Sequence, residues 1–380
     1  MPAINFPAWI ERIVVGDAAP GAVAKELDRH AVRRAFVMMS GTLGRTAGLA
    51  EGLAAALGER VVGTCTSLPQ HSPLPAVLQA ARSAKDGDAD ALVSIGGGSV
   101  IDATKVVQYC LARELFDEER LRNGSSRTVV ASPVPIRHIC VPTTLSGAEF
   151  THFAGARNPV TGLKQVFVDP ALTPRTVIFD QGLTLHTPMK LWLSSGVRAL
   201  DHAIEGLCSS RLHPMAELLA VRGVALLAES LRCSKRAPDD LEARRRSQFG
   251  AWFASVPLSS GVPMGASHAM GHVLGSAFDV PHGLTSCVLL PAVMQFNWEA
   301  VPDRFDSIAV SLGGQRGAEA PGLVRRLIAE LGLPTSLGEL GVHGEVFERI
   351  ISGALEEAWT RTNPRPLGRE ELLQILEAAA

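Results

Sequence analysis

The residues best suited to chemistry in this chain are three histidines, out of eleven in 380 residues, gathered between Gly265 and Gly283. His268 and His272 stand four apart, which on a helix stacks them on one face, and His282 follows in a Pro-His-Gly turn. Imidazoles collected this way bind a metal, move protons or hold an anionic substrate. A single histidine here would read as a cap or a packed side chain. Three among small and apolar neighbours point to a site, although the segment alone does not choose among the three roles.

A second concentration is Ser94-Ile-Gly-Gly-Gly-Ser-Val-Ile-Asp-Ala-Thr-Lys105. Three glycines directly after a strand let the backbone approach a ligand closely. Ser99 is expected to cap the following helix, whose free amides favour a phosphate. The run is neither G-x-G-x-x-G nor G-x-x-x-x-G-K-[ST], so those fingerprints do not apply. Asp102 and Lys105 fall in the first turns of that helix, where each reaches a ligand or pairs with a neighbour. Val141-Pro-Thr-Thr-Leu-Ser-Gly-Ala-Glu149 follows another strand with small hydroxyl residues, suited to a ribose or nicotinamide and equally to a plain polar turn.

The elements that must hold these residues are legible as two blocks. Apolar runs predict strands over 34–39, 60–65, 91–95 and 137–141, with a turn at Gly41–Gly44 and helices over 47–57 and 74–84. Such alternation predicts a parallel sheet with helices on its faces. From about Leu185 the strand signals vanish. Amphipathic helices are expected at 189–209, 214–232, 239–257, 262–276, 284–297, 302–312, 318–331, 345–355 and 368–378. The chain thus reads as an α/β domain, residues 1–184, followed by an all-α domain, residues 185–380.

Composition sets the outer frame. With 46% hydrophobic and 19% charged residues and a net charge of -2, the chain is expected to be a soluble two-domain protein. It carries no electrostatic footprint for nucleic acid or membrane. Arg244-Arg245-Arg246 is the one dense cationic cluster, and its acidic neighbours predict a solvated helix face. The first residues, Met1 to Pro7, lack a basic region leading into an apolar run, so secretion is not expected. No uncharged stretch approaches a membrane span. The six cysteines are scattered without C-x-x-C, which suits reduced thiols in a cytoplasm. Cys140 and Cys287 read as core residues, and none is a persuasive nucleophile.

Gly96-Gly-Gly-Ser-Val-Ile-Asp-Ala-Thr-Lys105, Pro142-Thr-Thr144 with Gly147 and Glu149, His268-Ala-Met-Gly-His272, Pro281-His-Gly283 and Thr362-Asn-Pro-Arg-Pro366 recur in order through nearly the whole chain. In this they resemble the signatures of the iron-containing (group III) alcohol dehydrogenase superfamily. Asp169 to Asp180 and Ser195 to Glu205 are similar to its maleylacetate reductase branch. The resemblance implies an N-terminal dinucleotide-binding domain, a C-terminal helical domain, an active site between them and a homodimer. It places Gly96, Gly97, Gly98 and Ser99 on the cofactor pyrophosphate, with Asp102 close by. Thr143, Thr144 and Leu145 would lie near the adenine or nicotinamide. In metal-dependent members four side chains hold the cation; three of those positions are His202, His268 and His282 here, and His272 lies close to the reacting centre.

The fourth position departs from the metal-dependent pattern, which has an aspartate where this chain has Arg198. On a helix Arg198 and His202 share a face, so a guanidinium would point where the carboxylate should. The swap changes the local charge by two units, and a unit pair at ~4 Å is worth ~4 kcal/mol at an effective dielectric near 20, which opposes a dication. Asp201 does not substitute, because neighbours on a helix point ~100° apart. With protonatable His202, His268 and His282, Arg198 would instead make a cationic pocket for a carboxylate. The competing reading is a salt bridge to Asp201, Glu205 or Asp279. His272 and His268 are the candidate proton donors.

The strand ending at Met39 runs into Ser40-Gly41 where an acidic residue would hold a ribose 2′-hydroxyl, so NADPH is expected to be tolerated along with NADH, with Arg45 nearby. Lys164 and His152 line the cleft or simply lie on the surface. The leading expectation is an NAD(P)H-dependent oxidoreductase similar to maleylacetate reductase. It would deliver hydride to a carbon-carbon double bond conjugated to a carbonyl, giving 3-oxoadipate in aromatic compound degradation. The rivals are an iron- or zinc-dependent alcohol dehydrogenase, a dehydroquinate-synthase-like lyase, and a non-catalytic NAD-binding regulator that the intact histidine cluster counts against.

Overall fold

The computed structural model describes residues 10–46, 48–66, 68, 72–123, 136–160, 162 and 164–380. The expectation for Met1 to Pro7 and the helix start at Ala47 lie outside these residues. Contacts divide the described chain into two compact units at Thr187/Pro188.

The first unit is built on eight strands: β1 (Arg12–Val15), β2 (Ala35–Met39), β3 (Val61–Cys65), β4 (Ala91–Gly96), β5 (Arg137–Pro142), β6 (Phe153–Arg157), β7 (Lys164–Val168) and β8 (Thr176–Phe179). Six form one sheet in the order β1-β8-β5-β4-β2-β3, every pairing parallel, while β6 and β7 make a separate antiparallel hairpin. Its helices are α1 (Ala19–Arg29), α2 (Gly41–Gly44), α3 (Leu49–Leu57), α4 (Leu74–Asp86), α5 (Gly98–Arg113), α6 (Glu118–Asn123) and α7 (Gln181–Thr184). Both sheet faces are covered, which is why β2 and β4 are apolar almost without interruption. Alternate residues divide between the faces: Phe36, Met38 and Leu92 pack with α4 and α5, Val37, Met39 and Val93 with α1 and α3. Because the strands are parallel, the loops after β2, β4 and β5 leave the sheet along one edge, bringing Ser40, Gly97 and Thr143 to neighbouring strand ends.

Two local expectations change. Gly41–Gly44 is a single helical turn, with Ser40 as its N-cap accepting from the Leu43 amide at 3.3 Å. Gly97, not Ser99, caps α5, and no side chain closes that end.

The second unit is helical among its described residues: α8 (Met189–Cys208), α9 (Pro214–Arg236), α10 (Leu241–Ser259), α11 (Ala266–Ala277), α12 (His282–Asn297), α13 (Pro302–Ser311), α14 (Ala320–Glu330), α15 (Phe347–Glu356) and α16 (Arg369–Ala378), with short 3₁₀ turns between. Helices α9 and α10 approach so closely that a Cβ on Gly223 would sit 2.7 Å from the Ala254 amide nitrogen. Helix α11 begins four residues later than its apolar pattern implies, since Pro263 and Gly265 interrupt the turn before it. His282 opens α12 behind the N-cap Pro281 and does not sit in a free turn.

The triple-arginine cluster is not a uniformly solvated face. Arg244 is buried, stacks 4.5 Å over the Trp192 ring and donates to the Pro238 carbonyl at 3.1 Å. Arg245 and Arg246 do face outward, paired with Glu242 and Glu229. Cys140 and Cys287 are buried as expected. Among the described residues, no helix is long and apolar enough to cross a membrane.

Candidate functional site

Helix α8 carries Arg198, Asp201, His202 and Glu205 at i, i+3, i+4 and i+7, a spacing that aligns them along one side of the helix. All four are buried; Arg198, the most open, is 8% exposed. A polar stripe so deep must be satisfied by partners from other elements. Arg198 makes an ion pair with Asp201 at 3.5 Å and donates to Ser286 Oγ of α12 at 3.1 Å, both through Nη1. Asp201 Oδ2 also accepts from Ser267 at 2.8 Å and Ser286 at 2.6 Å. Of the partners considered for Arg198, the structure thus selects Asp201.

Glu205 joins α8 to α11. Its carboxylate accepts from the backbone amides of Gly265 (3.0 Å), Ser267 (2.7 Å) and His268 (3.3 Å), and the Ala266 amide goes to Asn363 Oδ1 (3.3 Å). The first turn of a helix leaves its amides without intrahelical acceptors, and here four successive ones are met by two buried side chains. Gly265 is required by that closure, because a Cβ there would lie 2.8 Å from Asn363 Oδ1 and 3.0 Å from Glu205 Oε1. Glu205 Oε2 also meets His268 Nδ1 at 2.7 Å.

The histidines then fall into two pairs. His202 and His268 lie with ring centroids 4.9 Å apart, and His272 and His282 lie 6.1 Å apart. Trp359 bridges the α11 histidines, edge-on to His268 at 5.4 Å and tilted against His272 at 5.0 Å. His272 is part-exposed and faces Glu357 Oε1 at 3.5 Å through Nδ1. His282 packs over α11, where a Cβ on Gly275 would come within 2.8 Å of its ring.

Burial, reinforced by neighbouring positive charge including Arg198, holds His202 and His268 well below the usual histidine range. The expectation that these two rings add positive charge therefore fails: the permanent cation among the α8 residues is Arg198. Burial lowers Arg198 while Asp201 and Glu205 raise it, and burial pushes both carboxyls upward.

A divalent cation fits this donor set poorly. Among the described residues, the one trio whose ligand atoms lie within 4.8 Å of one another is Asp201, Glu205 and His268, not His202, His268 and His282. In that trio both Glu205 oxygens, Asp201 Oδ2 and His268 Nδ1 already serve hydrogen bonds. Arg198 adds a positive charge beside it. Buried His202 Nδ1, Asp201 Oδ1 and His268 Nε2 have no hydrogen-bond partner among the described residues.

In the α/β unit, the glycine turn meshes with the loop after β5. A Cβ on Gly97 would meet Thr144 Cγ2 at 2.9 Å, and one on Gly98 would meet Ser146 Oγ at 2.8 Å. The glycines therefore serve close packing of two loops as well as access to a backbone. Val100 and Ile101 amides fold back to the Gly97 carbonyl, so the amides of Gly98 and Ser99 carry no acceptor among the described residues. An uncapped start of a 16-residue helix suits a diphosphate. Gly96, Thr143, Thr144 and Leu145 are buried beside it. Asp102 pairs with Lys164 at 3.1 Å and accepts from the Gly155 amide at 3.2 Å. Lys105 is fully buried on Ala148, Thr151 and Phe153 oxygens. Each thus has a partner in the fold.

Sequence reasoning gave no role to Trp359, Glu357, Ser267 or Ser286, met Asn363 only within the Thr362–Pro366 signature, and weighed Glu205 as a possible partner of Arg198 and as the end of the Ser195–Glu205 segment. Glu205 was detectable as the continuation of the Arg198–His202 stripe. Trp359, Glu357 and Ser286 come from other segments and carried no local signal, while Ser267 adjoins His268.

Residues 11–181 match the family described as iron-containing alcohol dehydrogenase, and residues 192–380 match the Fe-containing alcohol dehydrogenase family, C-terminal. A maleylacetate reductase of Burkholderia cepacia is 33% identical across 100% of this chain and 98% of its own length. Dehydrogenase FUM7 of Gibberella moniliformis is 31% identical across 94% of this chain and 92% of its own. The crystal structure of maleylacetate reductase from Agrobacterium tumefaciens superposes with a TM-score of 0.83 at 30% identity, covering 100% of this chain and 98% of that one. The chain belongs to the iron-containing alcohol dehydrogenase superfamily, on its maleylacetate reductase branch. It is an NAD(P)H-dependent oxidoreductase.

Proposed function

We propose that the protein reduces a small carboxylated substrate, maleylacetate or a related carboxylated enone, with 3-oxoadipate as the product from maleylacetate, in aromatic compound degradation. The observation that carries this reading is Arg198. Its guanidinium is buried and engages protein acceptors only through Nη1 among the described residues. A buried cation with planar donors left over is a carboxylate receptor, and an arginine does this bidentately where a lysine offers a point charge. The relatives that bear the name maleylacetate reductase support the same substrate class.

A bound nicotinamide supplies the hydride. The chain's own part begins with the Gly98 and Ser99 amides, which hold the diphosphate at the start of α5. Arg198 orients the substrate carboxylate. His272 supplies the proton that completes addition across the double bond: its ring is part-exposed, faces Glu357 and is braced by Trp359, whereas burial holds His268 well below the usual histidine range. Ser40 leaves room for a 2′-phosphate, and the Arg45 guanidinium folds over Gly41, where a Cβ would meet its Nη1 at 3.3 Å. Both NADH and NADPH are therefore accepted. The enzyme acts without a resident metal, in the cytoplasm, as a homodimer.

A screen of NADH and NADPH oxidation against maleylacetate, small aldehydes and semialdehydes tests the substrate class; turnover confined to uncharged aldehydes overturns it. The unpartnered His268 Nε2 and His202 Nδ1 favour a second reading, a metal-dependent alcohol dehydrogenase. One tightly bound iron or zinc per chain after purification without chelator would replace the first reading by that one.

A further inference from the structure

We propose that Glu205 is a positioning residue that fixes His268 in the tautomer protonated on Nδ1. His268 thereby presents a bare Nε2 lone pair to whatever it meets. Four donors converge on the Glu205 carboxylate. Gly265 and His268 amides reach Oε2, the Ser267 amide reaches Oε1, and His268 Nδ1 reaches Oε2 at 2.7 Å. Burial pushes Glu205 upward, but three backbone amides pull it back, and a protonated Oε2 would be a poor acceptor for the two amides it already receives. The arrangement accommodates an ionised carboxylate accepting four hydrogen bonds. The ring nitrogen facing it must then carry the hydrogen.

The orientation is enforced from both ends. Glu205 is held on α8 one turn beyond His202, and the amides it closes belong to the first turn of α11, which carries His268. One carboxylate thus fixes the start of α11 relative to α8, the rotation of the His268 ring and the site of its hydrogen. This is the carboxylate–imidazole logic by which catalytic histidines are oriented. The far nitrogen, Nε2, is buried and has no hydrogen-bond partner among the described residues. An acceptor left open in that way selects a ligand group that brings a hydrogen: a hydroxyl, an amide or an ammonium. For the proposed reduction this divides the labour, with His268 accepting a hydrogen bond from substrate or cofactor and His272 giving the proton. The kinetic half of the inference rests on that proposed function, whereas the tautomer does not.

The test is nitrogen NMR of the ¹⁵N-histidine-labelled full chain, with His268 assigned by the signal lost in His268→Asn. The wild type is expected to show His268 protonated on Nδ1 and bare on Nε2, and Glu205→Gln to populate the opposite tautomer. With maleylacetate and NADH, Glu205→Gln should lower kcat about 10- to 100-fold, with KM for the cofactor held. Asn363→Ala removes the Ala266 cap and the bonds to Asn297 and Arg365 but none of the donors to Glu205, so it should leave the tautomer as in the wild type and lower kcat less than Glu205→Gln. A wild-type His268 protonated on Nε2 overturns the proposal even if no variant folds. An equal kcat loss in Asn363→Ala and Glu205→Gln, with the tautomer unchanged in both, reduces Glu205 to a helix clamp and also overturns it. Absence of any turnover of carboxylated substrates, with the tautomer as expected, counts against the proposed function alone.

Discussion

Lys105 in the α/β unit and Arg198 in the helical unit are both buried cations, and their surroundings treat them oppositely. Lys105 Nζ has four oxygens at 2.6 to 3.1 Å, from Ala148, Thr151 (two) and Phe153, more than its three hydrogens can fill. Burial pulls it down to about 8, yet every donor is used. Arg198 spends one nitrogen on the protein, and three atoms near it, Asp201 Oδ1, His202 Nδ1 and His268 Nε2, lack hydrogen-bond partners. A saturated cation fastens the chain; an unsaturated one is held ready for something else. Burial alone does not distinguish scaffold from site, but the count of unused donors does.

The largest effect that could break this contrast is expected from Arg198→Asp. Turnover of carboxylated substrates, read as kcat/KM, should fall about a thousandfold, or ~4 kcal/mol. Metal content after purification should rise. Unchanged turnover of acidic substrates would make Arg198 a scaffold cation like Lys105. Lys105→Met should cost roughly 3 kcal/mol in urea unfolding, because it strands the Thr151 carbonyl and takes a charged donor from three further oxygens, while substrate KM in the folded fraction stays put. A marked KM effect with intact stability would erase the contrast from the other side.

Glu149 sharpens the comparison further. Burial raises it from 4.5 to about 7 against the pull of a backbone amide and Lys105. The folded protein therefore holds a proton there that the unfolded chain releases. The resulting stability is fully present below pH 4.5 and is lost as pH rises through about 7. Compared with Glu149→Gln, the wild type should lose about 3 kcal/mol of unfolding free energy between pH 4.5 and 8. Parallel pH curves for the two proteins would mean that Lys105 already keeps Glu149 ionised.

Long-period patterns were readable from the sequence, and long-range partners were not. Helices α8 to α16 appeared within a few residues of their observed ends because each runs for several turns, most of them with an amphipathic repeat. Strands β1, β6, β7 and β8 were missed: β1 and β8 hold only four residues, and β1 and β7 are half-exposed, so none offered an uninterrupted apolar run like that of β2 or β4. The site divides along the same line. Arg198 and His202, four apart, could be placed together from the sequence, whereas Glu205 acquired its meaning only from amides sixty residues away. Arg244 was misread because its true neighbour, Trp192, is remote in sequence while its acidic neighbours are adjacent.

The meshing of Gly97 with Thr144 and of Gly98 with Ser146 has a consequence for heredity. Each loop supplies the space that the other fills, so neither can change size alone. An alanine at position 97 collides with the Thr144 methyl group, and the collision is relieved by a serine at 144, which lacks that methyl. Lineages of this enzyme would then inherit positions 97 and 144 as a pair, drifting together or not at all, however freely the surface around them varies.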